Sequence, residues 1–243
     1  MREFLLYWAW ICKGNNLEIF KKIKNAELVN FKLLEEIKQK LEKTNIKYIT
    51  FLDSDYPNDL LQLKYPPYVL FYKGNINLLK GRELLNITGE INGSISKFTI
   101  SYLNEKIFKK STLVTNQQTD LDYEIINLFK KHKSNIIYLL ASGIKSESRE
   151  YGTNELILSQ FPPDYHVKRE HYSMRNLICA GISKRMILIS TKEESKLIHL
   201  AYAFADYGKN VFCFPGIQWN DTNSELIKNG AQMITNISDV VYF

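Results

Sequence analysis

The sequence predicts an α/β protein: a mostly parallel sheet with helices on both faces, preceded by a small all-helical N-terminal module. Three observations lead there. Short apolar runs recur after residue 47: "LLNIT" (84–88), "TLVT" (112–115), "NIIYLLA" (135–141), "LILSQ" (156–160), "RMILIS" (185–190) and "NVFCFPG" (210–216). Helical patterns lie between several of them, at 95–109, 119–132, 173–183, 194–207 and 222–229. Strands separated by helices of this length imply βαβ units and a parallel sheet covered on both sides. The first 46 residues, by contrast, read as helix throughout, which places a domain boundary between 1–46 and 47–243.

In chain order, "FLLYWAWICKG" is a first helix stopped by Gly14. "NLEIFKKIKN" is a second, with Asn16 as its candidate cap. "NFKLLEEIKQKLEKTN" is a third, with Phe31, Leu33, Leu34, Ile37 and Leu41 as its apolar positions. The lysines of this module read as a solvated face. "YITFL" is a strand, and the segment up to Gly74 holds a Tyr-Pro turn, a short helical piece, a Pro-Pro break and a second strand. "DSD" at 53–55 reads as solvated turn residues. Sheets of this kind bind ligands beyond the carboxyl ends of their strands.

Composition sets outer bounds. The chain has 243 residues, 45% hydrophobic and 24% charged, ample for a full core. A net charge of +6 permits a nucleic-acid partner without demanding one. Cys12, Cys179 and Cys213 show no CxxC spacing and lie in apolar stretches, as in a reduced cytoplasmic protein with buried thiols. The four histidines complete no metal-ligand pattern, so neither metal nor cofactor is expected. The N-terminal apolar run is too short to span a bilayer.

Few residues carry chemistry. "HYSMRNLICAGIS" (171–183) offers Ser173 as a helix cap, which puts Arg175 in the first turn, where the macrodipole disfavours a cation. Arg175 there implies an anion, either a phosphate held with the free amides of the helix start or a local carboxylate such as Glu170. Upstream, Lys168, Arg169 and His171 interleave with Tyr165 and Tyr172, a mixture suited to a single strand: bases stack on rings and cations follow the backbone. "ITGEINGS" turns at Gly89 and Gly93, with Ser94 able to cap the next helix, but Glu90 would repel an anion. Trp219 either stacks on a base or packs as a loop aromatic. Ser142 lacks a nucleophile elbow, and His199 reads as half-buried on a helix rather than catalytic.

Four segments, in order, resemble the DNA-processing family DprA, also called Smf: "DYPNDLLQLKYPPYVLFYKGN", "ILSQFPPDYHVKREHYSMRNLICAGIS", "AYAFADYGKNVFCFPG" and "NSELIKNGAQMI". The resemblance covers residues 50–243 and implies an extended Rossmann-like domain that binds single-stranded DNA, acts as a homodimer and delivers DNA to a RecA-type recombinase in natural transformation. It implies no enzymatic activity. Arg175 and Asn176 would hold the DNA backbone, helped by Lys168, Arg169 and Lys184, with Tyr172 stacking and Gly89 and Ser94 in the glycine loop. The departures are specific: Glu90 and Ile91 stand where the family has Ser and Arg, Leu177 ends its Arg-Asn-Arg, and "TNQQTDLD" replaces a glycine-rich loop while Asp122 keeps its place. Two other functions stay open: a nucleotide-hydrolase-like enzyme on the same fold, and an interaction module that has lost DNA binding.

Overall fold

The computed structural model describes residues 1–81, 83–91 and 93–240. The chain divides into two compact units, Met1–Leu79 with Leu140–Arg175, and Lys80–Leu139 with the chain from Asn176 onward.

The first unit opens with helices α1 (Arg2–Ile11), α2 (Asn16–Lys24) and α3 (Phe31–Thr44). Asn side chains start two of them: Asn15 Oδ1 accepts the Glu18 amide before α2, and Asn30 Oδ1 accepts the Leu33 amide before α3. The cap of α2 is therefore Asn15, one residue before the expected Asn16. Asn45, in the left-handed conformation at φ 52°, ends α3. Strands β1 (Lys47–Thr50), β2 (Val69–Gly74) and β6 (Glu155–Ser159) pair antiparallel in the order β1-β2-β6. Leu5, Leu6 and Trp8 of α1 and Leu34, Ile37 and Leu41 of α3 are buried, so the helical module shares a core with these strands. Asp53 is not a solvated turn residue. Its carboxylate accepts the Thr50 amide at 2.7 Å and pairs with Arg2, which in turn donates to the Tyr48 carbonyl. Together they cover outward-facing groups of edge strand β1.

The second unit is the parallel sheet. Strands β3 (Glu83–Thr88), β4 (Ser111–Thr115), β5 (Asn135–Leu139), β7 (Arg185–Leu188), β8 (Val211–Cys213) and β9 (Gln232–Met233) lie in the order β5-β4-β3-β7-β8-β9. Helices α4 (Ser94–Ser101), α5 (Glu105–Lys110), α6 (Asp120–Lys131), α8 (Ile198–Asp206) and α9 (Thr222–Lys228) alternate with them. Strand order runs outward in both directions from β3 and β7, so right-handed crossovers put the helices of the two halves on opposite faces. Every residue of β4 is buried, as both faces covered requires. Helix α7 (Arg169–Ile182) precedes β7.

Three expected spans change, each for a local reason. The stretch 95–109 is two helices because Asn104 Oδ1 accepts the amides of Lys106 and Ile107 and starts α5 afresh. Helix α8 begins at Ile198, not 194, since Glu194 is left-handed at φ 51°. Helix α7 begins at Arg169, a full turn before Ser173. The Ser173 hydroxyl donates back to the Glu170 carbonyl at 2.8 Å, the interior pattern rather than a cap.

The exit from α7 is held by one side chain. Lys209 Nζ lies 2.9, 2.7 and 2.7 Å from the carbonyls of Ala180, Gly181 and Ser183, orphan acceptors at the negative end of the helix. Lys209→Met keeps most of the stem and removes the charge. It is expected to cost about 2 kcal/mol, read as a lower urea midpoint at unchanged slope.

Candidate functional site

At β3 and β7 the strand order reverses, and in such sheets a ligand crevice opens beyond the carboxyl ends at that point. The loops here are drawn together. A Cβ at Gly89 would lie 2.7 Å from Leu121 Cδ2 and 3.0 Å from the Ser190 carbonyl oxygen, so the loop after β3 passes close against the chain leaving β7 and glycine makes that approach easy. The Glu90 amide donates to the Ser190 carbonyl at 2.7 Å. The Ser190 hydroxyl lies 2.9 Å from the Ser96 hydroxyl and donates to the Ile91 carbonyl. Thr119 donates to the Gly89 carbonyl at 2.6 Å.

The charge in this crevice comes from the protein. The Glu90 carboxylate accepts the Lys192 amide at 3.2 Å, the kind of backbone donor a phosphate would take. Glu193 and Glu194 are exposed on the same loop, against Lys192 and Lys196. Ser94 is the first residue of α4 and not its cap: Gly93 holds the cap position, with no side-chain bond. Asn92 of this loop lies outside the described residues.

Beneath the rim sits Asp122, 2% exposed. Its carboxylate accepts from the Thr88 hydroxyl at 2.6 Å and the Gln118 amide at 2.9 Å. Burial raises its pKa above the ordinary aspartate value, with those hydrogen bonds pulling the other way. Asn223, 0% exposed, ties β7 to β8: its Nδ2 donates to the carbonyls of Leu188, Ile189 and Phe214. These two networks were not among the expected site residues. The signal for Asn223 was its place in "NSELIKNGAQMI", and its work there is structural.

The expected binding residues fall into separate groups. In the first unit, Lys168 and Arg169 are exposed just before and at the start of α7, with Tyr172 42% exposed one turn on. Arg175 is not in the first turn. It is the seventh residue of a 14-residue helix, 4% exposed, with its guanidinium 5.2 Å from the Tyr172 ring. In the second unit, Asn176 is 9% exposed, and its Oδ1 accepts from Asn116 Nδ2 beyond the carboxyl end of β4. Lys184 stands at the amino end of β7, paired with Glu83 at 3.1 Å, so the sheet's length separates it from Gly89 and Ser94. Trp219 is 86% exposed with Lys228 Nζ 4.8 Å from its ring, which overturns the packed-aromatic alternative. His199 is exposed rather than half-buried. The three thiols are buried, and burial pushes Cys213 up to about 12, which removes it from thiolate chemistry.

Among the described residues no cluster of His, Cys, Asp or Glu is placed to hold a metal ion, and no helix is long and apolar enough to cross a membrane.

Comparison with known proteins gives a consistent result. The family model described as DNA recombination-mediator protein A matches residues 47–243. The DNA processing protein DprA of Bacillus subtilis is 26% identical over 237 residues, covering 90% of this chain and 80% of that one. Its counterpart from Streptococcus pneumoniae is 25% identical over 214 residues, covering 83% and 76%. The X-ray structure of the S. pneumoniae protein has the same fold, with a TM-score of 0.73 at 20% identity over 92% of this chain and 80% of that one. So does DNA processing protein A from Helicobacter pylori, the subject of a structural study of its single-stranded DNA binding mode: TM-score 0.65, 21% identity, 81% of this chain and 95% of that one.

The raised pKa of Asp122 has a sign that can be checked. In the native state the carboxyl holds its proton to higher pH than in the unfolded chain. Its contribution to stability is therefore full in acid, below the unfolded value, and is lost as pH rises through the native-state value. Asp122→Asn cannot ionise, so the stability gap between native protein and variant should move in the variant's favour from acid to neutral pH. Urea midpoints across that range measure the gap, and a gap independent of pH would contradict the raised pKa.

Proposed function

Since the chain belongs to the DNA recombination-mediator protein A family, we propose that it binds single-stranded DNA and handles it for recombination and transformation, as a binding protein rather than an enzyme. The observation that carries this is the family match across residues 47–243. Relatives named DNA processing protein support it over most of the chain. Partnership with a RecA-type recombinase, a homodimeric state and a cytoplasmic location belong to the same proposal and follow from the family resemblance.

The surface chemistry suggests where the strand runs. Lys168 and Arg169 present two exposed cations at the start of α7, the positive end of a 14-residue helix dipole. Tyr172, on the next turn, offers a face for a base. Arg175, buried against the Tyr172 ring, is assigned the task of holding that ring in position rather than forking onto a phosphate. At the β3–β7 crevice, Glu90 already satisfies a backbone donor and opposes a phosphate, so that rim contributes little to affinity.

Fluorescence anisotropy with a dT oligomer at low and moderate salt tests the reading. Affinity should fall as salt rises, because condensed counterions are released from the strand. Arg169→Ala should weaken binding by about 3- to 10-fold, while Lys184→Ala, far along the sheet and paired with Glu83, should bind like the native chain. Glu90→Ser should strengthen binding, since it removes a carboxylate from the ligand edge. No binding at any salt would overturn the proposal and leave a protein-interaction module on the same fold.

A further inference from the structure

We propose that the loop between α1 and α2 completes a nucleotide subsite in front of α7, with Lys13 and Lys168 holding a phosphodiester and Tyr165 receiving a base that carries an exocyclic amine. The proposal rests on the single-strand reading above, but Lys13 lies outside the residues that the family model matches, 47–243.

The loop is fixed by its backbone. Lys13 and Gly14 are successive left-handed residues, at φ 53° and 74°. The Gly14 carbonyl accepts Gln160 Nε2 at 3.0 Å, and a Cβ on Gly14 would lie 2.8 Å from the Gln160 carbonyl oxygen and 3.0 Å from the Phe161 ring. Lys13 therefore leaves a rigid turn. Its ammonium lies 5.8 Å from the centroid of the Tyr165 ring, and the Lys168 ammonium lies 5.8 Å from the same centroid. Two cations reach one ring from two distant parts of the sequence. Both are exposed, and Lys168 also hydrogen-bonds the Tyr165 side chain, which raises the lysine's pKa.

Behind the ring is an aromatic ladder. The His171 ring stacks on Phe161 at 3.9 Å, and Tyr165 lies 5.5 Å from His171. Phe161 and His171 are buried, whereas Tyr165 is half-exposed and forms the outer rung. Burial lowers the pKa of His171, so it is a neutral spacer here and not a third cation. A cavity of about 150 Å³ opens beside these groups, lined also by Asn15, Glu18 and Glu170.

The signs of charge select the ligand. Two carboxylates beside two ammonium groups make a poor seat for a bare phosphate. They suit a nucleotide, whose phosphodiester oxygens accept from ammonium groups while the amino group of its base donates to a carboxylate. Cytosine presents such an amine and thymine an acceptor in its place, so the subsite should prefer dC over dT. Stacking on Tyr165 is common to both and gives no preference.

The experiment compares dC and dT oligomers of equal length by anisotropy, for the native chain and for Lys13→Ala, Lys13→Arg, Glu18→Gln and Arg169→Ala, each checked for native circular dichroism. The native chain should bind dC about 3- to 10-fold more tightly than dT. Lys13→Ala should weaken both and lower the salt slope by about 0.7, the share of one phosphate contact on a single strand, and Lys13→Arg should restore it. Glu18→Gln should bring dC down towards dT. Equal affinity for the two oligomers, or a Lys13→Ala chain that binds like the native one, overturns the subsite; if Arg169→Ala still weakens binding, the single-strand reading survives that result. A native chain that binds neither oligomer overturns both.

Discussion

Position 89 leaves little room for a side chain, because β3 ends within van der Waals reach of Leu121 and the Ser190 backbone. Most of the second unit's ligand edge follows from that close approach. It brings the Glu90 amide onto the Ser190 carbonyl and the Ser190 hydroxyl beside Ser96 and the Ile91 carbonyl. It lets Thr119 reach the Gly89 carbonyl, and Thr119 in turn caps α6 by accepting the Asp122 amide. A Cβ at 89 would press on the Leu121 side chain and the Ser190 backbone, and close-packed interiors yield poorly to such shifts.

The same closeness gives Glu90 its effect. A turn built to present backbone donors at a strand switch is an anion seat by default. Here a carboxylate on the turn accepts one of those donors, and the neighbouring loop adds Glu193 and Glu194. The fold is kept while the electrostatics of its usual ligand edge are altered. Exposed positive charge beside aromatic rings is found in the first unit, at Lys13, Tyr165, Lys168, Arg169 and Tyr172, and in the second at Lys228 and Trp219. Fold and site chemistry can change separately, since a sheet is stabilised by buried apolar strands and a site by a few rim side chains.

Helix α7 shows how local signals compete. Ser173 followed by an apolar helical run has the form of a cap, and a cap there would have aimed Arg175 at solvent. The helix starts a turn earlier, with Glu170 in its first turn, where a carboxylate favours the dipole. The serine hydroxyl then bonds back to the Glu170 carbonyl, and Arg175 is carried inside. Cap and interior serine differ only in which backbone group the hydroxyl meets, a choice that sequence spacing does not encode. Asn104 is the converse: an ordinary polar residue within a helical pattern that proves to be a start.

Alternation of apolar runs with helical patterns determined the α/β architecture, the separate helical character of the first 46 residues and the burial of the three cysteines, because burial of a strand or a helix face leaves a periodic trace along the chain. Motif order determined the family for the same reason: turns and caps recur at fixed offsets. Tertiary structure alone decided that Lys184 pairs with Glu83 at the amino end of the central strands, that Trp219 stands in solvent, that Glu90 meets the Lys192 amide and that Lys13 and Lys168 both reach one tyrosine ring. The three contacts depend on residues far apart in sequence being brought within a few ångströms, and short-range periodicity holds no record of such distances.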